Sequence, residues 1–255
     1  MSTAVSTRAL TRRFGEKVAV DAVDLDIPSG SFYGICGPNG AGKTTTLRMM
    51  TGLLRPDAGE VRVEGVDVWA DPVTAKTVFG VVPDVPQLFE RLSGLELLEF
   101  NGLLRGMPAP VIEARAGELL QILELESDAA TLVADYSLGM RKKIAIACAI
   151  LHNPTVLFLD EPFGSIDPVS TQVIEEILTR FIRSGGTVVF SSHVMDVVER
   201  LCDRIVVIDH GRVLVEGTVA GITTGRRLQE VFVQLVGGRG DLGDGELGWL
   251  GSSSD

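Results

Sequence analysis

The chain has 255 residues, 45% hydrophobic and 22% charged, enough apolar material for a buried core, which excludes a largely disordered polypeptide. Its 23 basic against 34 acidic side chains leave a formal net charge of −11, a balance that argues against a nucleic-acid grip. The longest apolar runs, such as Ile144 to Leu151, fall short of the ~18 residues of a spanning helix, so no bilayer crossing by the chain itself is expected.

Met1 to Leu10 lacks the apolar centre of a signal peptide, and Cys36, Cys148 and Cys202 are odd in number and far apart. Reduced thiols in a cytosolic protein are the expectation. Along the chain, Val18 to Ile27 and Val61 to Glu64 are short, turn-bounded and β-prone, which predicts a small antiparallel flank. Phe32 to Cys36, Val78 to Val82, Val156 to Leu159, Thr187 to Phe190 and Ile205 to Ile208 read as strands alternating with helical segments, the pattern of a mostly parallel α/β sheet. From Leu95 to Glu124 the strand signal disappears. Two helices parted by Gly106-Met107-Pro108 are predicted there, the first opened by a capping box at Ser93 and Glu96. After Asp167-Pro168, the spacing of Val173, Ile174, Ile177, Leu178, Phe181 and Ile182 predicts another helix, with Asp167 as its cap. Gly237 to Asp255 holds seven Gly, three Ser and four acids against one Arg, the composition of a flexible acidic tail.

Two stretches carry chemistry. Gly37-Pro-Asn39-Gly40-Ala41-Gly42-Lys43-Thr44-Thr45 lies between a predicted strand and a predicted helix, the context in which G-x-x-x-x-G-K-T means a phosphate-binding loop. Its glycines let backbone N–H groups face phosphates and the helix start adds positive potential. Lys43 reaches the β and γ oxygens, and the Thr44 hydroxyl can ligate Mg²⁺. The second is the apolar strand Thr155-Val-Leu-Phe-Leu, which ends in Asp160-Glu161. Asp160 is placed to hold Mg²⁺ directly or through water, and Glu161 to orient and polarise an attacking water.

With these two motifs, Tyr136-Ser137-Leu138-Gly139-Met140 resembles the signature of ABC transporter nucleotide-binding subunits, in the variant form of bacterial ABC-2 type exporters. The resemblance runs from about Val5 to Val236. It implies a P-loop ATPase domain over 1–236, with a helical signature subdomain of about 86–152 inserted in the α/β core and a tail over 237–255. Physically, Ser137 can cap a helix whose first N–H groups, unobstructed at Gly139, form a second anion site. In the family, Ser137 and Gly139 of one protomer close over the γ-phosphate held by another. The resemblance further implies that Phe14 stacks on adenine with Val20 as apolar support, and that His193 contacts the γ-phosphate and holds the attacking water. Asp167 is implied to link the two composite sites across the dimer, beside its capping role. Asp84, in Val82-Pro83-Asp84-Val85-Pro86-Gln87, stands where the family has a glutamine that ligates Mg²⁺. Either hydrolysis is retuned by this carboxylate or Gln87 substitutes through a shifted loop.

The implied function is an ATPase that binds ATP and Mg²⁺ at a dimer interface. It would drive a separate integral membrane permease from the cytoplasmic face, in export, without nucleic acid. The alternative is a soluble ABC ATPase of a cytosolic complex; the paired domains of translation relatives and the long coiled coil of repair relatives are both missing from this sequence. A kinase or small GTPase is disfavoured by the Tyr136 to Met140 motif and His193.

Overall fold

The computed structural model describes residues 2–164 and 166–237, so the acidic segment from residue 238 onward lies outside the described residues. In chain order, β1 (Thr3–Phe14) and β2 (Lys17–Pro28) precede β3 (Phe32–Cys36), which runs into α1 (Lys43–Met50). Next come β4 (Ala58–Val63), β5 (Val66–Asp67), α2 (Pro72–Val78) and β6 (Phe79–Val82). A helical stretch follows: α3 (Gly94–Leu104), α4 (Ala109–Ile122), two 3-10 turns at Glu126–Asp128 and Val133–Asp135, and α5 (Leu138–Ile150). The chain then alternates through β7 (Val156–Asp160), α6 (Pro168–Arg183), β8 (Thr187–Ser192), α7 (Met195–Leu201), β9 (Arg204–Asp209) and β10 (Arg212–Thr218), with α8 (Val219–Thr223) and α9 (Leu228–Leu235) last.

Two sheets result. A six-stranded sheet has the order β10-β9-β3-β8-β7-β6, parallel except for β10, and a four-stranded antiparallel sheet has the order β2-β1-β4-β5. β3, β7 and β8 are buried at every residue, which is why they read as continuous apolar runs. Their alternate side chains feed two cores. Phe32, Leu157, Leu159, Val188 and Phe190 pack toward the helical side with Ile144, Ile174 and Leu178. Tyr33, Ile35, Phe158, Val189 and Val206 face Leu47 and Met50 of α1 and Val5, Leu25 and Val61 of the antiparallel sheet. The period-2 geometry of a strand thus places one set of residues against each layer.

The antiparallel flank is larger than expected. β1 escaped the sequence reading because Arg8, Arg12, Arg13 and the threonines mask its alternation, and because shifts of register interrupt its pairing with β2 at Thr7/Leu10, Leu10/Arg12 and Arg12/Arg13. Ala9 adopts φ 47°, and its N–H donates to Asp24 Oδ1 at 2.6 Å. Such bulges bend a strand and re-aim its end, and here that end carries Phe14. β10 escaped for a different reason: it is an edge strand with only half-buried and exposed positions.

The helical stretch begins at the predicted cap. Glu96 N donates to Ser93 Oγ at 3.3 Å and Ser93 N donates to Glu96 Oε2 at 2.8 Å. Its last helix, α5, leads through His152 back to the sheet, and His152 Nε2 lies 3.1 Å from the Phe79 carbonyl. Nε2 therefore carries the proton, while Nδ1 is buried without a partner. Burial pushes the His152 imidazole down to about 4, helped by the charges of Arg105 and Arg115 and opposed by the bond to Phe79. Between about 6.5 and about 4 the unfolded chain then binds a proton that the native chain does not. This contribution is complete above about pH 6.5 and is lost as the pH falls toward 4. Partial solvent contact reduces it, and a loss of about 1 kcal/mol between pH 7.5 and pH 5 is expected in urea unfolding. His152→Gln, which keeps a donor for the Phe79 carbonyl, should flatten that part of the profile; an unchanged slope would show that other groups set it.

Candidate functional site

The carboxyl ends of β3, β6, β7 and β8 lie side by side, and the functional residues follow them: the phosphate loop after β3, Asp84 after β6, Asp160 and Glu161 at the end of β7, and His193 after β8. Open α/β sheets bind ligands in this crevice, outside the strand ends. Here it forms a cavity of about 600 Å³ lined by Phe14, Lys17, Ala19, residues 39–45, Asp84, Val85, Leu138, Lys142, Glu161, Gly164 and His193.

The loop is built for backbone donors. Gly42 sits at φ 110° and a Cβ there would lie 2.4 Å from the Ala19 carbonyl, so glycine is required on both steric and conformational grounds. Gly42 is also the N-cap of α1 and offers no side-chain cap, which leaves the first N–H groups of the helix for an anion. Lys43 is buried, with Nζ donating to the Gly37 carbonyl at 2.8 Å and to that of Pro38 at 3.2 Å, and 3.9 Å from Glu161 Oε1. Thr46 Oγ1 donates to the Gly42 carbonyl at 2.9 Å and closes the turn from inside.

Opposite the loop, one carboxylate organises the floor. Asp160 Oδ1 accepts from Thr44 Oγ1 at 3.0 Å and from Ser191 Oγ at 2.6 Å. Ser191 Oγ in turn accepts from Glu161 N at 3.0 Å. Glu161 adopts φ 48°, a left-handed conformation costly for a side chain with a Cβ. Its Oε1 lies 3.0 Å from His193 Nδ1, with the histidine side chain 53% exposed against 15% for the glutamate, so the carboxylate is sheltered and the imidazole faces the opening.

At the cavity rim, Phe14 is half exposed and Arg12 covers one of its faces, the guanidinium carbon 5.0 Å from the ring centroid. Asp57 holds that guanidinium at 2.8 Å, which leaves the other ring face for a planar group. Val20 takes a different place from the one expected: it is fully buried behind the loop, 3.5 Å from the Cβ position of Gly42, while its neighbour Ala19 lines the cavity with Val85 and Leu138. On β2 the side chains alternate, so only one of these neighbours can face the cavity. Of the two residues considered after β6, Asp84 lines the cavity whereas Gln87 lines a separate groove with Pro86, Phe89 and Arg141.

The signature stretch begins α5. Ser137 caps it, accepting from Met140 N at 3.2 Å, and is exposed outside the cavity. Gly139 packs against the start of α6, where a Cβ would come 2.7 Å from Ser170 Oγ and 3.1 Å from Asp167 Oδ2. Asp167 is an N-cap: its Oδ1 accepts from Ser170 N at 2.8 Å, a bond that lowers its pKa below the usual carboxylate range. The sequence reading gave no role to Ser191, Lys142, Lys17 or Arg12. A serine ending an apolar strand and a lysine on the buried face of α5 were the available signals.

The family description "ABC transporter" matches residues 20–164. The daunorubicin/doxorubicin resistance ATP-binding protein DrrA of Streptomyces peucetius is 41% identical over 215 residues, which cover 84% of this chain and 65% of that protein. The Nod factor export ATP-binding protein I of Ralstonia nicotianae is 38% identical over 213 residues, 84% of this chain and 66% of the relative. The chain thus spans about two thirds of the length of these relatives. A solved ATP-binding subunit of an ABC transporter superposes with a TM-score of 0.86 at 29% identity, covering 91% of this chain and 99% of that one. A dimeric ATP-binding cassette in a post-hydrolysis state with ADP and Pi superposes with a TM-score of 0.77 at 28% identity, covering 84% and 98%. By this match and by the α/β sheet that carries the loop, the chain belongs to the ABC transporter family, as one of its ATPase cassettes.

Proposed function

We propose that this chain supplies one half of a paired ATPase, which hydrolyses Mg-ATP between two protomers and drives a separate membrane-spanning permease in export. The observation that carries this reading is a phosphate loop that opens into a cavity beside Glu161 and His193, while the cap of α5, Ser137, is exposed at the edge of that cavity, which Leu138 of the same helix lines. An exposed capping serine at a helix start is open to a nucleotide held by a second protomer.

In the cavity, the loop N–H groups and Lys43 bind the phosphates, and Phe14 offers its free face to the base. Glu161 accepts the proton of the attacking water, and His193 Nδ1, 3.0 Å from its carboxylate, holds that carboxylate oriented. The Thr44 hydroxyl and the Asp160 carboxylate would hold Mg²⁺, since they are oxygen donors already paired at 3.0 Å, with Thr44 lining the cavity. No cluster of three His, Cys, Asp or Glu able to hold a metal occurs among the described residues. Bound there, Mg²⁺ would supply charge neutralisation to the phosphates of the nucleotide. Binding favours the closed pair because each nucleotide touches both protomers, and loss of the γ-phosphate reopens it.

Asp84 adds a carboxylate to a site that already holds Asp160 and Glu161, and so adds repulsion toward the γ-phosphate. Asp84→Gln is expected to leave ATP affinity within about threefold and to change turnover or its coupling to the permease by more than that. Unchanged turnover and coupling in a steady-state ATPase assay would make Asp84 a bystander.

No described helix is long and apolar enough to cross a membrane; in this reading the permease supplies the spanning helices. The relatives named for drug resistance and Nod factor export support the outward direction. Purification of the chain from solubilised membranes should recover a polytopic protein that raises its ATPase rate in vesicles. Recovery of soluble partners alone would overturn the transport reading.

A further inference from the structure

One buried cation in the cavity wall has no part in the scheme above. Lys142 stands one turn after Ser137 and Gly139 on α5, with only 3% of its surface exposed. A lysine so enclosed needs partners, and it has them: Nζ donates to the Glu161 carbonyl at 2.7 Å and to the Gly164 carbonyl at 2.9 Å. The same Glu161 carbonyl accepts from Gly164 N at 3.1 Å, so a tight turn after β7 is closed around the ammonium. Burial lowers the pKa of Lys142, and the charges of Asp84, Glu161 and Asp160 partly oppose that shift.

Glu161 needs such support. Its left-handed backbone is held at the N–H by Ser191 of β8 and at the carbonyl by Lys142 of α5, while His193 holds the carboxylate. Two of these supports come from the strand ends of the chain's own cavity. The third comes from the helix whose first turn, by the function proposed above, is seated on the other protomer's nucleotide. Gly139 packs on Ser170 and Asp167, so the same helix touches both ends of the segment that follows Glu161.

We propose that Lys142 is a positioning residue that ties the placement of Glu161 in one cavity to the seating of Ser137 and Gly139 on the nucleotide of the partner. A shift of α5 on engagement carries Nζ with it, and with Nζ the Glu161 carbonyl. Misplacement of a reacting group by about 1 Å costs about 10²-fold in rate, so a small movement suffices to switch hydrolysis.

The inference rests on the paired-ATPase reading, and the test separates the two. ATP affinity, kcat, KM and thermal unfolding are measured for the full chain, for Lys142→Met, which retains the apolar stem, for Lys142→Arg, for Ser137→Ala, and for the Lys142/Ser137 double variant. Lys142→Met should bind ATP within about threefold and still unfold cooperatively, at a somewhat lower temperature because two carbonyls lose their donor, with kcat lowered about 10- to 100-fold and partly restored in Lys142→Arg. In the Lys142→Met background, Ser137→Ala should cost much less than it does alone, because the link it acts through is already cut. Unchanged kcat in Lys142→Met, a parallel loss of folding and ATP binding in both Lys142 variants, or strictly multiplicative effects in the double variant would each overturn the role of Lys142. A wild-type chain that binds ATP but does not hydrolyse it, alone or with its permease, would overturn the paired-ATPase reading instead.

Discussion

Glu161→Gln should lower ATP turnover by about 10²- to 10⁴-fold, the usual contribution of a positioned general base, while leaving ATP affinity nearly intact. The amide is isosteric and keeps an oxygen for His193 Nδ1, now 3.0 Å from Glu161 Oε1, so the geometry of the cavity survives. What disappears is a carboxylate able to take the proton of water. With hydrolysis blocked, the γ-phosphate persists and so does the closed pair. Size-exclusion chromatography with ATP should show the variant at twice the protomer mass, and without ATP as a monomer. A variant that stays monomeric with normal ATP affinity would refute the two-protomer mechanism.

Lys43→Met should raise the ATP dissociation constant about 10²-fold or more and abolish measurable turnover. Hydrogen bonds to a charged group contribute about 1.5–3 kcal/mol each, and Lys43 is the one basic residue that starts inside the phosphate loop, its Nζ resting on the Gly37 and Pro38 carbonyls. Phosphate oxygens draw the ammonium off those neutral carbonyls, and methionine can make neither set of bonds. The Met stem fills the same buried space, so the thermal midpoint should change little. Binding of a fluorescent ATP analogue within threefold of the wild type would show that the loop N–H groups alone hold the nucleotide.

The parallel core was legible because its strands are buried on both faces, and an unbroken apolar run such as Val156 to Leu159 has few other readings. The caps at Ser93 and Asp167 were legible because a cap is a local bond between residues three apart. β1 was not, since its polar face and bulges are tolerated only because β2 and β4 pair on either side of it. Val20 was misplaced for a related reason: being near the loop in sequence does not say which face of β2 points into the cavity.

From sequence alone came the chemistry of the site, because a phosphate loop and an apolar strand ending in two carboxylates are defined by residue type and short spacing. Tertiary structure decided which groups meet. Ser191 bridges Asp160 to Glu161 across two adjacent strands. Lys142 reaches Glu161 from a helix nineteen positions earlier, and Arg12 lies over Phe14 under the hold of Asp57. Those contacts depend on distances that no local pattern encodes, since burial and strand order set them only once the whole sheet has formed.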